Sequence, residues 1–382
     1  MNHRTNNFEL NDMLVIALVD EDIKHDQRVL TSLKTYRNVQ VINCRYLREV
    51  NGFQSVIAYI KVIFFLVFGF VKGFWLSRNI RQFYRFRFNS FAGRLITSLR
   101  NTLRAYKIVV EPNSKPDDIV LIHAHDLYCG VIGAKLAKRL GAKFIYDAHE
   151  VEFHRNRKNS WLRSVFDWSV ERHVIQAADE IRVVNARIAD LYRLAYPGID
   201  SRLRVVSNDH FLPHSVDIEA ISDSEHASIV YVGQGVKGRQ LEQFASITKD
   251  SELSVHSFFI GEVPELAIDA GWIIGPRDYE DSLVALSKSQ RCMMWCCVEN
   301  LCLSYQLALP NKFFQALAVG MPVIVSKNTY LSEIVQKYKL GIVFDDHNSN
   351  LILNKIKSEQ FIEWVENIIS FRNDLSKGLV VL

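Results

Sequence analysis

DIVLIHAHDLYCGVIGAKLAKRLGAKFIYDAHE, residues 118–150, contains a strand, a helix and a second strand in 33 residues. The apolar run in DIVLIHAHD (118–126) is short enough for a buried strand and ends in polar residues. LYCGVIGAKLAKRLG (127–141) follows with helical spacing and closes on Gly141, the residue best suited to a left-handed helix end. AKFIYDAHE (142–150) is again apolar with a polar end. Two strands joined by a helical crossover imply parallel pairing and an α/β sheet covered on both faces.

The same alternation extends outward. Upstream lie a strand at 13–20, a helix within 26–36 and a strand at 39–44. Downstream come a helix at 160–179, a strand at 180–185, a helix, and a strand at 203–208. DHFLPHSVDIEAISDSEHA (209–227) is polar, lacks clear periodicity, and is taken as a linker. A second round then begins: strands at 228–233, 254–261, 271–276, 291–298, 321–326 and 340–344, with helices between them. The expected class is α/β, as two Rossmann-like domains facing a cleft: 1–208 and 228–357. A last helix in 358–382 is expected to pack back on the first domain.

Composition agrees with this class. The chain has 382 residues, 48% hydrophobic and 23% charged, with 17 Gly and 8 Pro. These values exclude collagen, coiled coil and disorder for the chain as a whole and allow about two domains. Six cysteines do not make a disulfide framework. The first 20 residues contain only a short apolar run followed by acids, so no cleaved leader is expected, and the thiols are expected to stay reduced in the cytoplasm.

The net charge of +4 hides an asymmetry. From Val50 to Val110 there is no Asp or Glu, against ten basic residues; the rest of the chain holds 36 basic and 42 acidic residues. Within 53–104, Lys61, Lys72, Arg78, Arg81, Arg85 and Arg87 stand among Phe, Tyr and Trp75. The clean apolar run Val62–Val71 is too short to span a bilayer, which needs about 20 residues. Basic residues beside aromatics suit an anionic membrane surface. A core helix followed by a solvated basic helix is the plain alternative. No nucleic-acid motif accompanies the stretch, so no nucleic-acid partner is expected.

In parallel sheets, ligands meet the carboxyl ends of strands. The residues there are His123, His125 and Asp126, then Asp147, His149 and Glu150. YVGQGVKGRQLEQF (231–244) has three glycines at a strand-to-helix turn, with Lys237 and Arg239 at the helix entrance. Exposed N–H groups and two cations suit a diphosphate, although an ordinary glycine turn with solvated cations has the same letters. LPNKFFQALAVGMPVIVS (309–326) places Lys312 and Gln315 three apart, on one face of a helix start. Cys292, Cys296, Cys297 and Cys302 lack metal-ligand spacing and are expected to be buried thiols; no metal is expected at all.

The 309–326 stretch resembles the donor-binding signature of GT-B glycosyltransferases, in particular the large retaining family 4. Residues 231–244, the D-x-H-E stretch within 124–156, and 172–192 resemble further family segments in the same order. The resemblance implies a nucleotide-diphosphate-sugar as donor substrate, no other cofactor, no metal, and retention of anomeric configuration. It implies that Arg239 holds the diphosphate with Lys237 and Lys312, and that Gly233 lets the chain approach closely. His149 would face the transferred sugar, supported by Asp147 and Glu150. Many relatives have two Glu separated by seven residues; here those positions are Leu307 and Gln315. The implied function is sugar transfer to a lipid-linked or surface-polysaccharide acceptor, with the enzyme peripheral on the inner face of the cell membrane. A catalytically inactive GT-B-like protein that binds a glycan or a partner is the alternative.

Overall fold

The structure is a computed structural model. It describes residues 14–19, 27–36, 38–44, 119–155, 161–209, 211, 213–249, 252–345, 349–380 and 382. The whole basic aromatic segment 53–104, with Lys61, Lys72, Trp75, Arg78, Arg81, Arg85 and Arg87, lies outside the described residues. Two compact units divide at Val206 and Ser207.

In the first unit, strands β1 (Leu14–Val19), β2 (Asn38–Asn43), β3 (Ile119–His125), β4 (Lys143–Ala148), β5 (Glu180–Val183) and β6 (Leu203–Val205) form one sheet. Their order is β2-β1-β3-β4-β5-β6 and every pairing is parallel. Helices α1 (Gln27–Leu33), α2 (Asp126–Leu140), α3 (Trp161–Ala177) and α4 (Ala186–Ala195) connect or cover the strands. β1 is buried throughout Val15–Val19, as a central parallel strand must be.

The α2 boundaries follow from the letters. Gly141 ends the helix at φ 67°, and its N–H bonds Ala137 O. Gly130 and Gly133 face the sheet. A Cβ on Gly133 would lie 2.7 Å from the Phe144 ring and 2.9 Å from Ala124 Cβ. These glycines therefore let the helix backbone sit directly on β3 and β4.

The second unit repeats the plan. β7 (Ala227–Gly233), β8 (Ser254–Phe259), β9 (Ile273–Ile274), β10 (Arg291–Trp295), β11 (Val323–Ser326) and β12 (Gly341–Phe344) form a parallel sheet ordered β12-β11-β10-β7-β8-β9. Its helices are α5 (Ile218–Ser222), α6 (Leu241–Thr248), α7 (Glu265–Asp269), α8 (Glu280–Ser289), α9 (Leu303–Leu307), α10 (Asn311–Ala318), α11 (Tyr330–Tyr338), α12 (Ser349–Ile356) and α13 (Gln360–Ser376). Strand alternation sends Ile229, Tyr231, Met293 and Trp295 to one core, and Val230, Val232, Met294 and Val323 to the other. Cys296 and Cys297 go to opposite faces for the same reason, and all six cysteines are buried and outside any disulfide.

Two expectations need revision. The segment taken as a linker contains the capped turn of α5, with Asp217 accepting from Ala220 N–H, and belongs to the second unit. The last helix, expected on the first domain, also belongs to the second unit. α13 buries Phe361, Trp364 and Val365 in one of its cores and Ile368 and Phe371 in the other. Its apolar residues recur along most of its length, and those two cores satisfy them.

Candidate active site

Register builds the first cluster. In β3, His123 and His125 are two apart and share a sheet face, and His125 lies directly beside Asp147 of β4. Asp147 is fully buried and is held by Arg28 of α1, whose Nε lies 3.2 and 3.3 Å from its two oxygens and whose Nη2 also bonds it. Nη1 of the same guanidinium donates to Val206 O at 2.6 Å. Burial alone would raise the Asp147 pKa, but the Arg28 guanidinium overrides it and holds the carboxyl well below its ordinary value. Burial, followed by the neighbouring His123, pushes His125 far below the ordinary histidine value, and burial also lowers His123. Both imidazoles are therefore neutral at physiological pH.

His149 follows β4 and reaches the cluster through His125: His149 Nε2 lies 3.1 Å from His125 Nδ1. The carboxylate beside His149 is Asp126, which accepts from the His149 backbone N–H at 3.3 Å and lies 3.8 Å from its Nδ1. Asp126 opens α2 in the left-handed region at φ 63°, a conformation that Asp tolerates better than most residues. Arg155 then ties three acids together, at 3.2 Å from Asp126, 3.4 Å from Glu150 and 3.2 Å from Glu152. Asp147 thus meets His125, which in turn meets His149, and Glu150 is anchored to Arg155.

Behind this loop lies a carboxyl with no obvious signal in the sequence. Glu171 is fully buried in α3 and accepts from Tyr146, Tyr192 and Tyr196 at 2.9, 2.5 and 2.7 Å. Burial pushes its pKa up to about 7 against the opposing pull of the three hydroxyls.

The second cluster forms at the strand ends of the other unit. Gly233 ends β7 at φ 141°, and Gly238 adopts φ 99°, where a Cβ would lie 2.9 Å from Leu301 and from Tyr305. Arg239 sits over the Tyr305 ring at 4.9 Å, and Lys312 over the Tyr231 ring at 4.8 Å. Lys312 is 6% exposed, in the first turn of α10. Burial, with Arg239 adding to it, lowers its pKa to about 8. Among the described residues no carboxylate pairs with Arg239 or Lys312. Lys237 is exposed. Gln315, also buried, donates from Nε2 to Tyr279 OH at 2.8 Å. Tyr231, Tyr279, Tyr305, Arg28 and Arg155 went unnoticed in the sequence because their roles depend on neighbours distant in the chain.

Three solved structures have the same fold. The chain aligns with a UDP-glucosyltransferase from Polygonum tinctorium capable of glucosylating indoxyl (10% identity, TM-score 0.53, 95% of this chain and 94% of that one). It aligns with UGT2 of Phytolacca americana, complexed with UDP-2-fluoro-glucose and pterostilbene (10%, 0.52, 95% and 94%). HepE of Anabaena in complex with UDP-glucose gives 12% identity, TM-score 0.52, and coverage of 96% and 99%. A family model described as "Glycosyl transferase 4-like domain" matches residues 70–209, and one described as "Glucosyltransferase 3-like, C-terminal domain" matches 297–381. The chain is a glycosyltransferase of GT-B fold. No curated protein sequence matches it. In this glycosyltransferase the first family match contains His125, Asp126, Asp147 and His149, and the second contains Lys312 and Gln315. Gly233, Lys237 and Arg239 fall between the two matches.

Proposed function

We propose that this glycosyltransferase moves a sugar from a nucleotide-diphosphate sugar to a lipid-linked or surface-polysaccharide acceptor, with retention of configuration and without a metal on the diphosphate. The observation that carries the reading is Lys312. A buried ammonium without a carboxylate partner, beside a second cation and at a helix start, is costly unless an anion completes the site. A diphosphate supplies that anion. As the nucleotide diphosphate leaves, its charge grows, and Lys312 and Arg239 are already in place to stabilise it. Gln315 serves the ribose, and His149 serves the transferred sugar. UDP-glucose in HepE and UDP-2-fluoro-glucose in UGT2 support a nucleotide-sugar donor. The acid-free segment from Val50 to Val110 supports attachment to an anionic membrane on the cytosolic face.

The test is transfer and binding with UDP-, GDP- and dTDP-sugars. Arg239→Ala and Lys312→Ala should each weaken nucleotide binding about ten- to a hundred-fold, the worth of a charge-assisted hydrogen bond. His149→Ala should lower turnover far more than nucleotide affinity. Unchanged binding in both folded cation variants removes the donor site, and full turnover in His149→Ala removes the assignment of that residue. Leu307 and Gln315, where many relatives have Glu, favour a second reading as a non-catalytic glycan- or partner-binding protein. Nucleotide binding with no transfer to any acceptor would select it.

A further inference from the structure

His123, His125 and Asp147 bring their ligating atoms together, and His149 approaches the same group through His125. His123 Nε2 and His125 Nδ1 each lie 3.6 Å from Asp147 Oδ2, and His149 Nε2 lies 3.1 Å from His125 Nδ1. The His123, His125 and Asp147 atoms all fall within 4.8 Å of one another. Ligands about 2.0–2.1 Å from a tetrahedral ion stand about 3.3 Å apart, so the 3.1 and 3.6 Å contacts lie near that spacing and the wider ones close by small side-chain rotations.

Three further observations fit an ion. His123 is fully buried, and its Nε2 makes no hydrogen bond of ordinary length, with Asp147 Oδ2 standing just beyond that reach at 3.6 Å. That is an unfavourable end for a polar atom unless something fills the space it faces. The outer nitrogen of each histidine faces an oxygen: Tyr36 OH at 3.4 Å from His123 Nδ1, Ser32 Oγ at 3.4 Å from His125 Nε2, and Asp126 Oδ1 at 3.8 Å from His149 Nδ1. Such outer partners orient ligating imidazoles in metal sites. Arg28 bonds chiefly Asp147 Oδ1, leaving Oδ2 turned to the histidines. The guanidinium also consumes part of the carboxylate's charge, which favours moderate rather than extreme affinity.

The geometry points to a divalent transition-metal site, best suited to zinc, with His123, His125, Asp147 and His149 as ligands. A ligand set of three imidazoles and one carboxylate matches zinc's preferences and not those of magnesium or calcium. The site's consequence for catalysis rests on the proposed function: a bound ion occupies the His149 Nε2 lone pair, so loading withdraws that imidazole and lowers transfer. The binding itself does not depend on that reading.

The full chain, stripped with a chelator and titrated with cobalt(II) as a spectroscopic probe, tests the proposal. One equivalent should produce an intense visible absorption of the tetrahedral type, and zinc should abolish it by displacement. His149→Ala alters a half-buried ligand, so the fold should survive. It should weaken binding by more than about tenfold and change the band as water replaces the imidazole. His123→Gln and His125→Gln should remove the band if they fold. Absence of the band in wild type overturns the site, as does a wild-type band and affinity in His149→Ala. Loss of transfer without any added metal would count against the proposed function, and the cobalt band would be unaffected by that result.

Discussion

Lys312 Nζ lies 4.8 Å from the centroid of the Tyr231 ring, buried in the first turn of a helix and facing the π-cloud rather than a carboxylate. The ring shields the ammonium from water without neutralising it. A second ring, Tyr305, holds Arg239 in the same way. The site therefore keeps two cations partly desolvated, which sharpens their attraction for an incoming anion.

That arrangement sets a pH dependence. Burial, with Arg239 adding to it, holds Lys312 at about 8, so about half of the free protein has lost this proton at that pH and nearly all of it well above. A bound diphosphate stabilises the ammonium, and binding above pH 8 must then take up a proton. Nucleoside-diphosphate affinity should fall by up to about tenfold per pH unit above 8. Lys312→Arg should flatten the profile, since guanidinium keeps its charge. Calorimetry from pH 7 to 9.5, in two buffers of different ionisation enthalpy, measures both the affinity and the proton count. A flat wild-type profile would contradict the assignment.

Gln315 and Tyr279 form the next testable pair. The carboxamide donates to the Tyr279 hydroxyl, which leaves its carbonyl oxygen as the acceptor for a ribose hydroxyl. Gln315→Glu should preserve or improve nucleotide binding, because the carboxylate accepts both from Tyr279 and from ribose. Gln315→Leu should weaken it. Tyr279→Phe should cost about two- to ten-fold, the worth of one neutral hydrogen bond. Equal affinities across the three variants and wild type would remove both residues from the site.

Glu171 predicts how stability responds to pH. Its folded pKa of about 7 lies above the ordinary 4.5, so between those values the folded protein binds the proton and the unfolded chain does not. Stability contributed by this group is complete at acid pH and declines as pH rises from 4.5 through 7. Glu171→Gln removes the titration while keeping an acceptor for the tyrosine hydroxyls. Its melting temperature, followed from pH 5 to 8, should show a shallower decline than that of wild type. Parallel curves would show that the carboxyl is already ionised in the folded state.

Membrane attachment is tested by sedimentation with liposomes. Replacing Arg78, Arg81, Arg85 and Arg87 by Glu should abolish binding to anionic vesicles, since each basic residue near the surface contributes about 1 kcal/mol. High salt should act in the same direction. Among the described residues no helix is long and apolar enough to cross a membrane. Binding indifferent to lipid charge, salt and these substitutions would exclude an electrostatic surface.

Much of the architecture was legible from local pattern. The apolar runs at 13–20, 118–126 and 321–326 are strands because each is short, flanked by polar residues, and followed or preceded by helical spacing. Gly141 ends its helix because only a left-handed residue completes that turn. The positions of Lys312 and Gln315 three apart already placed them on one helical face. The last helix shows the limit of such reasoning: its apolar residues announce a buried face, but not which core receives it.

What the sequence by itself determined is therefore periodic and local: two rounds of parallel α/β structure, the strand ends where polar residues collect, buried thiols, and a basic segment without acids. What only the tertiary structure decided depends on contacts between residues far apart in the chain. Arg28 meets Asp147 across 119 residues, Gln315 meets Tyr279 across 36, and Glu171 gathers three tyrosines from β4 and α4 and the turn that follows it. A side chain's charge state follows from the dielectric and the partners around it, and those are set by folding rather than by neighbours in sequence. Lys312 shows the division most plainly: its position was evident from a motif, whereas its burial, its aromatic neighbour and its weakened hold on a proton arise only when β7 and α10 pack together.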